Sequence, residues 1–148
     1  MELKLLDEEV AGQVKEVFTQ LRDPVEVLFF GQAAGCDYCE DTLQLVQEVT
    51  SLSNKLSLSV YELDRDAQVA RQFNVDKVPG LVIAGRDDGQ VMDYGIRYAG
   101  IPAGTEFSAL IHDLVLVSGR DSGLDPITRD FLKGLTEPVL LQVFTTPT

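Results

Sequence analysis

The feature that most constrains the fold is a pair of cysteines, Cys36 and Cys39, placed where a predicted strand gives way to a predicted helix. Residues 25–30 are rich in β-branched and aromatic side chains, which predicts a buried central strand. A loop of small residues follows, and apolar residues at helical spacing predict a helix over residues 36–52. Two cysteines at this spacing, in a chain of alternating strands and helices, indicate a redox-active pair.

The helix N-terminus explains the chemistry expected of this pair. The first N–H groups of a helix lack internal partners and carry partial positive charge, which favours a thiolate at Cys36. Cysteines in such places have pKa values lowered to about 3.5–7.5. Residues three apart on a helix have Cβ atoms about 5–6 Å from each other, so that a small adjustment closes a disulfide. We expect Cys36 to be the exposed attacking thiol and Cys39 the recessed resolving thiol.

The rest of the chain predicts the order α-β-α-β-α-β-β-α, with Asp88 and Gly89 at a hairpin turn. Helices are predicted after Asp7 and over 36–52, 66–73 and 105–117, and strands over 25–30, 56–63, 81–84 and 91–98. Alternating strands and helices followed by a hairpin predict an α/β fold with a central mixed β-sheet flanked by helices.

Charge and hydropathy exclude several classes of function. The 24 acidic and 12 basic residues give a net charge of -12, which disfavours binding to phosphate backbones and anionic lipids. The apolar runs are far shorter than the roughly 20 residues of a membrane span, and no basic and apolar signal sequence opens the chain. We expect a cytoplasmic protein that binds neither nucleic acid nor membrane.

The C-terminal residues repeat an earlier part of the chain. Pro138, Val139 and Phe144 correspond, at one constant offset, to Pro24, Val25 and Phe30. A helix opening at Asp125 and a strand over 139–144 are therefore predicted as the first elements of a second repeat. This divides the chain into a domain at residues 1–123 and, at residues 124–148, the start of a second repeat that stops before its own cysteine loop. The apolar strand predicts self-association into a homodimer, with packing on the first unit as the alternative.

These features resemble the two-unit, glutaredoxin-like protein disulfide oxidoreductases of the thioredoxin superfamily. The matching stretches are Cys36-Asp37-Tyr38-Cys39, Val78-Pro79, residues 95–104 followed by Glu106-Phe107, and residues 143–148. The resemblance covers nearly the whole chain, as that family's N-terminal unit. It implies a thioredoxin-like fold and a thiol–disulfide oxidoreductase that acts on the dithiols and disulfides of protein substrates.

The resemblance also assigns roles to residues and partners. Cys36 attacks, Cys39 resolves, and a cis-Pro79, with Val78 and Tyr38, holds the substrate's strand. The family needs no metal and no cofactor beyond its redox-active disulfide, and a thioredoxin-reductase-like protein is the implied electron donor.

Three departures from the family pattern matter. The second cysteine pair is absent from this sequence, Asp37 stands where glutaredoxins have proline, and Phe30 stands where thioredoxins have a buried aspartate. A proton relay through that carboxylate is therefore not expected. The related N-terminal domain of the alkyl hydroperoxide reductase flavoprotein lacks cysteines in its first unit, so the pair argues against that relative.

Two other functions stay open on the sequence. The chain could be a non-catalytic peptide-binding module that uses the groove beside Pro79. The cysteines could instead form half of a metal or cluster site shared between two subunits. A zinc site within one chain is not expected, because zinc usually takes four ligands and His112 is the only histidine.

Overall fold

The structure is a computed structural model that describes residues 4–146. Its elements are α1 (Glu8–Phe18), β1 (Val25–Gly31), α2 (Cys39–Ser51), β2 (Leu56–Glu62), α3 (Ala67–Gln72), β3 (Gly80–Asp87), β4 (Gln90–Ala99), α4 (Thr105–Gly119) and α5 (Pro126–Lys133). Asp88 and Gly89 both have positive φ and join β3 to β4 in a tight hairpin, as predicted. The predicted α/β fold is confirmed.

The four strands form one mixed sheet in the order β2-β1-β3-β4. β1 runs parallel to β2 and antiparallel to β3, and β4 is antiparallel to β3. All seven residues of β1 are buried, because this strand is central and both of its faces are covered. The alternation of side chains divides β1 between two cores.

The larger core, which we call the main core, lies between the sheet and helices α1, α2 and α4. It contains Val25, Val27 and Phe29 of β1, and Cys39 belongs to it. The smaller core lies on the opposite face under α3 and contains Leu28 and Phe30. The cysteine pair is thus placed at the main core, with Cys39 inside it and Cys36 packed against it.

The C-terminal segment confirms one prediction and corrects another. The predicted helix forms as α5, which Asp125 caps by accepting the Thr128 N–H at 2.8 Å. The strand predicted at 139–144 is not formed, because within residues 4–146 no strand pairs with it and an apolar run alone does not make a ladder. No residue of α5 is buried. The Thr145 hydroxyl nevertheless donates a hydrogen bond to the Glu106 carboxylate at the start of α4.

A carboxylate on α2 holds the residues that precede α1. The N–H of Leu5 donates to Oε1 of Glu48 at 2.9 Å, and the N–H of Leu6 donates to Oε2 at 2.8 Å. Burial raises the pKa of Glu48, but the hydrogen bonds from Leu5, Leu6 and Gln44 together outweigh it, so the pKa lies below its usual value of 4.5. The ionised carboxylate therefore stabilises the folded state.

Glu48→Gln is expected to lower the free energy of unfolding by about 1 kcal/mol at neutral pH, since one charged acceptor is lost. A carboxyl group whose pKa is depressed on folding stabilises above its unfolded-state pKa, near 4.5, and loses that effect as pH falls through the folded value. The difference in the free energy of unfolding between wild type and Glu48→Gln should therefore vanish in acid. Urea unfolding at neutral and acidic pH measures it. The exposed Glu16→Gln is the control, and an equal loss in both variants would contradict the prediction.

Candidate active site

The cysteine pair lies at the C-terminal end of β1, where the chain leaves the sheet. The helix begins at Cys39, not at Cys36 as predicted, and Tyr38 is its N-cap residue. Gly35 has a φ of 74°, and residues 37 and 38 form a turn, so Cys36 lies just before the helix. Tyr38 makes no side-chain capping hydrogen bond, and the partial positive charge of the helix N-terminus lies beside the pair.

Cys36 and Cys39 form a disulfide, and their Cα atoms are 5.5 Å apart. Cys36 is half-buried, whereas only 8% of Cys39 is exposed. An attacking molecule can therefore reach the Cys36 sulfur more readily than the Cys39 sulfur. This arrangement is chemically competent for thiol–disulfide exchange, which needs one accessible sulfur and a second sulfur within bonding reach.

The Val78–Pro79 peptide bond is cis, as predicted. Pro79 is buried, and its carbonyl accepts the N–H of Gly100 at 2.8 Å, which fixes the start of β3 to the loop after β4. Val78 is half-buried and packs against the main core, as Cys36 does. Tyr38 is 57% exposed between the two cysteines.

The position of the thioredoxin aspartate is filled by an aromatic ring. Phe30 is fully buried and stacks on Tyr61 with ring centroids 5.2 Å apart. Among residues 4–146 the one buried acidic side chain is Glu26, which accepts from the Ser59 hydroxyl and pairs with Arg86 at 3.3 Å. Glu26 lies five residues before Gly31, about 16 Å along the strand. No carboxylate relay to the cysteines is built at Phe30.

Tyr98 ties β4 to α4 beside this region. Its hydroxyl donates to Oδ2 of Asp113 at 2.5 Å. Burial, reinforced by the Asp113 carboxylate, raises the pKa of Tyr98 far above its usual value. Tyr98 is therefore a neutral hydrogen-bond donor with a structural role, and it packs against the same main core as Val78 and Cys36.

Neither a metal centre nor a membrane span is found in the described part of the chain. Between residues 4 and 146, no three or more His, Cys, Asp or Glu side chains lie close enough together to hold a metal ion. None of the helices there has both the length and the apolar character needed to cross a bilayer. The redox group at this site is the disulfide itself.

Sequence comparisons place the chain among redox proteins. The profile of the thioredoxin domain matches residues 25–111, which include both cysteines and Pro79. The chain is 30% identical to the NADH dehydrogenase of Bacillus subtilis over 89% of its own length. It is 29% identical to an alkyl hydroperoxide reductase subunit of Pseudomonas aeruginosa over 88% of its length. It spans 22% of the length of each of these two proteins.

Structural comparisons give the same grouping. A protein disulfide oxidoreductase from Aeropyrum pernix superimposes with a TM-score of 0.76 and 32% identity, over 89% of this chain and 57% of that one. An alkyl hydroperoxide reductase subunit of Enterococcus faecalis superimposes with a TM-score of 0.77 and 22% identity, over 88% of this chain and 61% of that one. The latter shows a shared fold.

The comparisons correct one expectation from the sequence. Cys36 and Cys39 were expected to argue against a relation to the alkyl hydroperoxide reductase flavoprotein, yet alkyl hydroperoxide reductase subunits match most of the chain. The cysteine pair thus does not exclude a relation to these subunits, since they match 78–88% of the chain at 29% identity. The resemblance to protein disulfide oxidoreductases is confirmed. With more than half of its residues matched by the profile, the chain belongs to the thioredoxin domain family.

Proposed function

We propose that this chain is a thiol–disulfide oxidoreductase of protein substrates, in which Cys36 attacks and Cys39 resolves. The observation that carries the proposal is the disulfide between a half-buried Cys36 and a buried Cys39 at the start of α2. The relation to a protein disulfide oxidoreductase supports it. The difference in exposure gives the two sulfurs different tasks, since only Cys36 is open to a second protein.

In the reducing direction the reaction has two exchange steps. The Cys36 thiolate attacks a substrate disulfide, forms a mixed disulfide, and releases one substrate sulfur as a thiolate that takes up a proton. Cys39 then loses its proton, and its sulfur attacks Cys36. The Cys36–Cys39 bond forms, the second substrate sulfur leaves, and two electrons have passed to the substrate. The helix N-terminus stabilises the negative charge on Cys36.

The substrate strand is proposed to lie along Val78 and Pro79, with Tyr38 on its other side. The hydrogen bond from the Gly100 N–H to the Pro79 carbonyl holds this segment in place. Val78 and Cys36 both pack against the main core, so the same core supports the substrate-binding segment and the attacking cysteine. Tyr38, exposed beside the disulfide, offers an aromatic surface to an extended peptide.

The proposed electron donor is a thioredoxin-reductase-like flavoprotein. Its support is that the matching segments of two relatives belong to proteins named as an NADH dehydrogenase and as an alkyl hydroperoxide reductase subunit. The proposed location is the cytoplasm, where disulfides are usually transient and catalytic. This fits a chain whose only two cysteines form one pair.

We also propose the domain division at residue 123. Residues 1–123 form the thioredoxin-like domain, and residues 124–148 are the start of a second repeat. The support is a contrast in burial between equivalent positions. Val25 and Phe30 are fully buried, whereas Val139 and Phe144, their counterparts in the repeat, are largely exposed. A homodimer formed through this segment would remove these side chains from water.

Insulin reduction tests the proposed activity. With dithiothreitol as the electron source, the wild-type chain is expected to accelerate precipitation of the insulin B chain, and Cys36→Ser is expected to fall to the rate of dithiothreitol alone. Ala34→Ser, in the same loop, is the matched control and should retain activity. A wild-type chain that binds extended peptides without accelerating reduction, equally well with and without Cys36, would instead support the peptide-binding module.

A further inference from the structure

Gly31, the last residue of β1, occupies a position where any side chain would meet both Phe29 and Cys39. A Cβ atom at residue 31 would lie 2.7 Å from Cε1 and 2.8 Å from Cζ of Phe29. The same Cβ would lie 3.7 Å from the sulfur of Cys39. The edge of the Phe29 ring therefore fills the volume that a side chain at residue 31 would need, and the Cys39 sulfur borders that volume.

The backbone does not explain the glycine. Gly31 is not among the glycines with positive φ, unlike Gly35 at 74°. It continues the regular pairing of β1 with Glu62 of β2, and its carbonyl accepts the N–H of Leu63 at 2.9 Å. A residue with a side chain could adopt this conformation, so what glycine contributes at this position is space.

We propose that Gly31 is a positioning residue for Cys39, acting through the ring of Phe29. Phe29 is buried in the main core together with Cys39, where close packing resists movement of either side chain. With no side chain at residue 31, the ring edge fills the space beside residue 31 and the Cys39 sulfur borders the same space, so the ring acts as the wall behind the resolving sulfur. This inference rests on the proposed function, since it assigns a role in the second exchange step.

The step concerned is the attack of Cys39 on a mixed disulfide. The Cys39 sulfur, having lost its proton, must approach the Cys36 sulfur along the axis of the bond that breaks, and the departing sulfur leaves on the opposite side. Attack by Cys36 on a substrate does not involve Cys39. A change in the wall behind Cys39 should therefore slow the second step selectively.

Gly31→Ala is the variant that disturbs this wall. A contact of 2.7 Å cannot persist, so the Phe29 ring must move within a packed core and shift the sulfur beside it. Because displacements of about 1 Å at a reacting group cost up to roughly 100-fold in rate, we expect the second step to slow about tenfold. Phe29→Leu removes Cε1 and Cζ and makes room for a methyl group at residue 31.

Dithiobis-nitrobenzoate separates the two steps in the reduced full-length chain. Attack by Cys36 releases one thionitrobenzoate, and attack by Cys39 on the resulting mixed disulfide releases a second. In Gly31→Ala the first release should stay within about twofold of wild type while the second slows about tenfold. In a Phe29→Leu background, adding Gly31→Ala should leave both rates unchanged, a comparison that holds even where Gly31→Ala alone does not fold.

Gly12→Ala is the matched control, because a Cβ there meets no atom within 4 Å, and its two release rates should equal those of wild type. The inference is overturned if Gly31→Ala resolves at the wild-type rate, if it slows both steps equally, or if it still slows resolution in the Phe29→Leu background. A wild-type chain that gives no second release would overturn the proposed function instead, so the two failures are distinguishable.

Discussion

Replacing Cys39 with serine is expected to convert the chain from a catalyst into a trap that holds its substrate on Cys36. The attack by Cys36 stays possible, because this sulfur is the more accessible of the two. The mixed disulfide cannot then be resolved within the chain, since a serine hydroxyl does not exchange with disulfides, and only an added thiol such as dithiothreitol could release the substrate. When no other thiol is added, each molecule of reduced Cys39→Ser should stop after the first exchange step, and the covalent adduct should accumulate up to one per molecule of the variant.

Non-reducing electrophoresis and intact-mass measurement detect this adduct with insulin or with a disulfide-bonded peptide. Cys36→Ser is the matched variant, because it changes the same atom in the other member of the pair and should form no lasting adduct. Adducts of equal yield in the two variants would contradict the assignment of roles. Adducts in Cys36→Ser alone would reverse it.

The sequence predicts most of this site because its signals are local. The apolar run of β1 and the cysteine spacing each need only a few neighbouring residues to be interpreted, and the structure has the central strand and the disulfide where they indicate. The helix start is displaced by three residues because Gly35 turns the chain with a φ of 74° before the helix begins. Because glycine adopts positive and negative φ about equally readily, the sequence does not show that Gly35 turns the chain.

Other features depend on contacts between distant parts of the chain. Glu48 binds the N–H groups of Leu5 and Leu6, and the Ser118 hydroxyl accepts from the Arg22 N–H and donates to the Asp23 carbonyl. No local pattern predicts such pairs. The role inferred for Gly31 also depends on a contact that the sequence does not reveal. From the sequence, a glycine at the end of a strand indicates only a turn, whereas the structure shows the Phe29 ring in the space that a side chain at residue 31 would need.

The segment at 139–144 shows why a strand-like sequence need not form a strand. Its residues match those of β1 in kind, but β1 is buried between β2 and β3, and no strand of residues 4–146 pairs with 139–144. A strand is stabilised by its neighbours and not by its own sequence. The sequence therefore predicts that this segment favours a strand, and the strand can form only when a neighbouring strand pairs with it.

Charged substitutions in this segment are expected to weaken self-association by about 100-fold or more. Leu141 and Phe144 are 86% and 89% exposed, and burial of each would contribute about 1.5–3 kcal/mol per copy, against 1.4 kcal/mol per tenfold change in affinity. Residues 138–146 include no charged side chain in a chain of net charge -12, so this stretch adds no charge repulsion between two copies. Leu141→Glu/Phe144→Glu should remain monomeric at concentrations where the proposed wild-type dimer forms.

Multi-angle light scattering across a dilution series measures this difference. Gln47→Glu/Gln72→Glu adds the same two charges at exposed positions of α2 and α3, and it should dimerise as wild type does. A chain shortened to residues 1–123 should be monomeric and folded, because no residue of α5 is buried and its removal leaves the main core intact. A monomeric wild-type chain, or dimers that survive the two glutamates, would show that some other surface or partner covers Leu141 and Phe144.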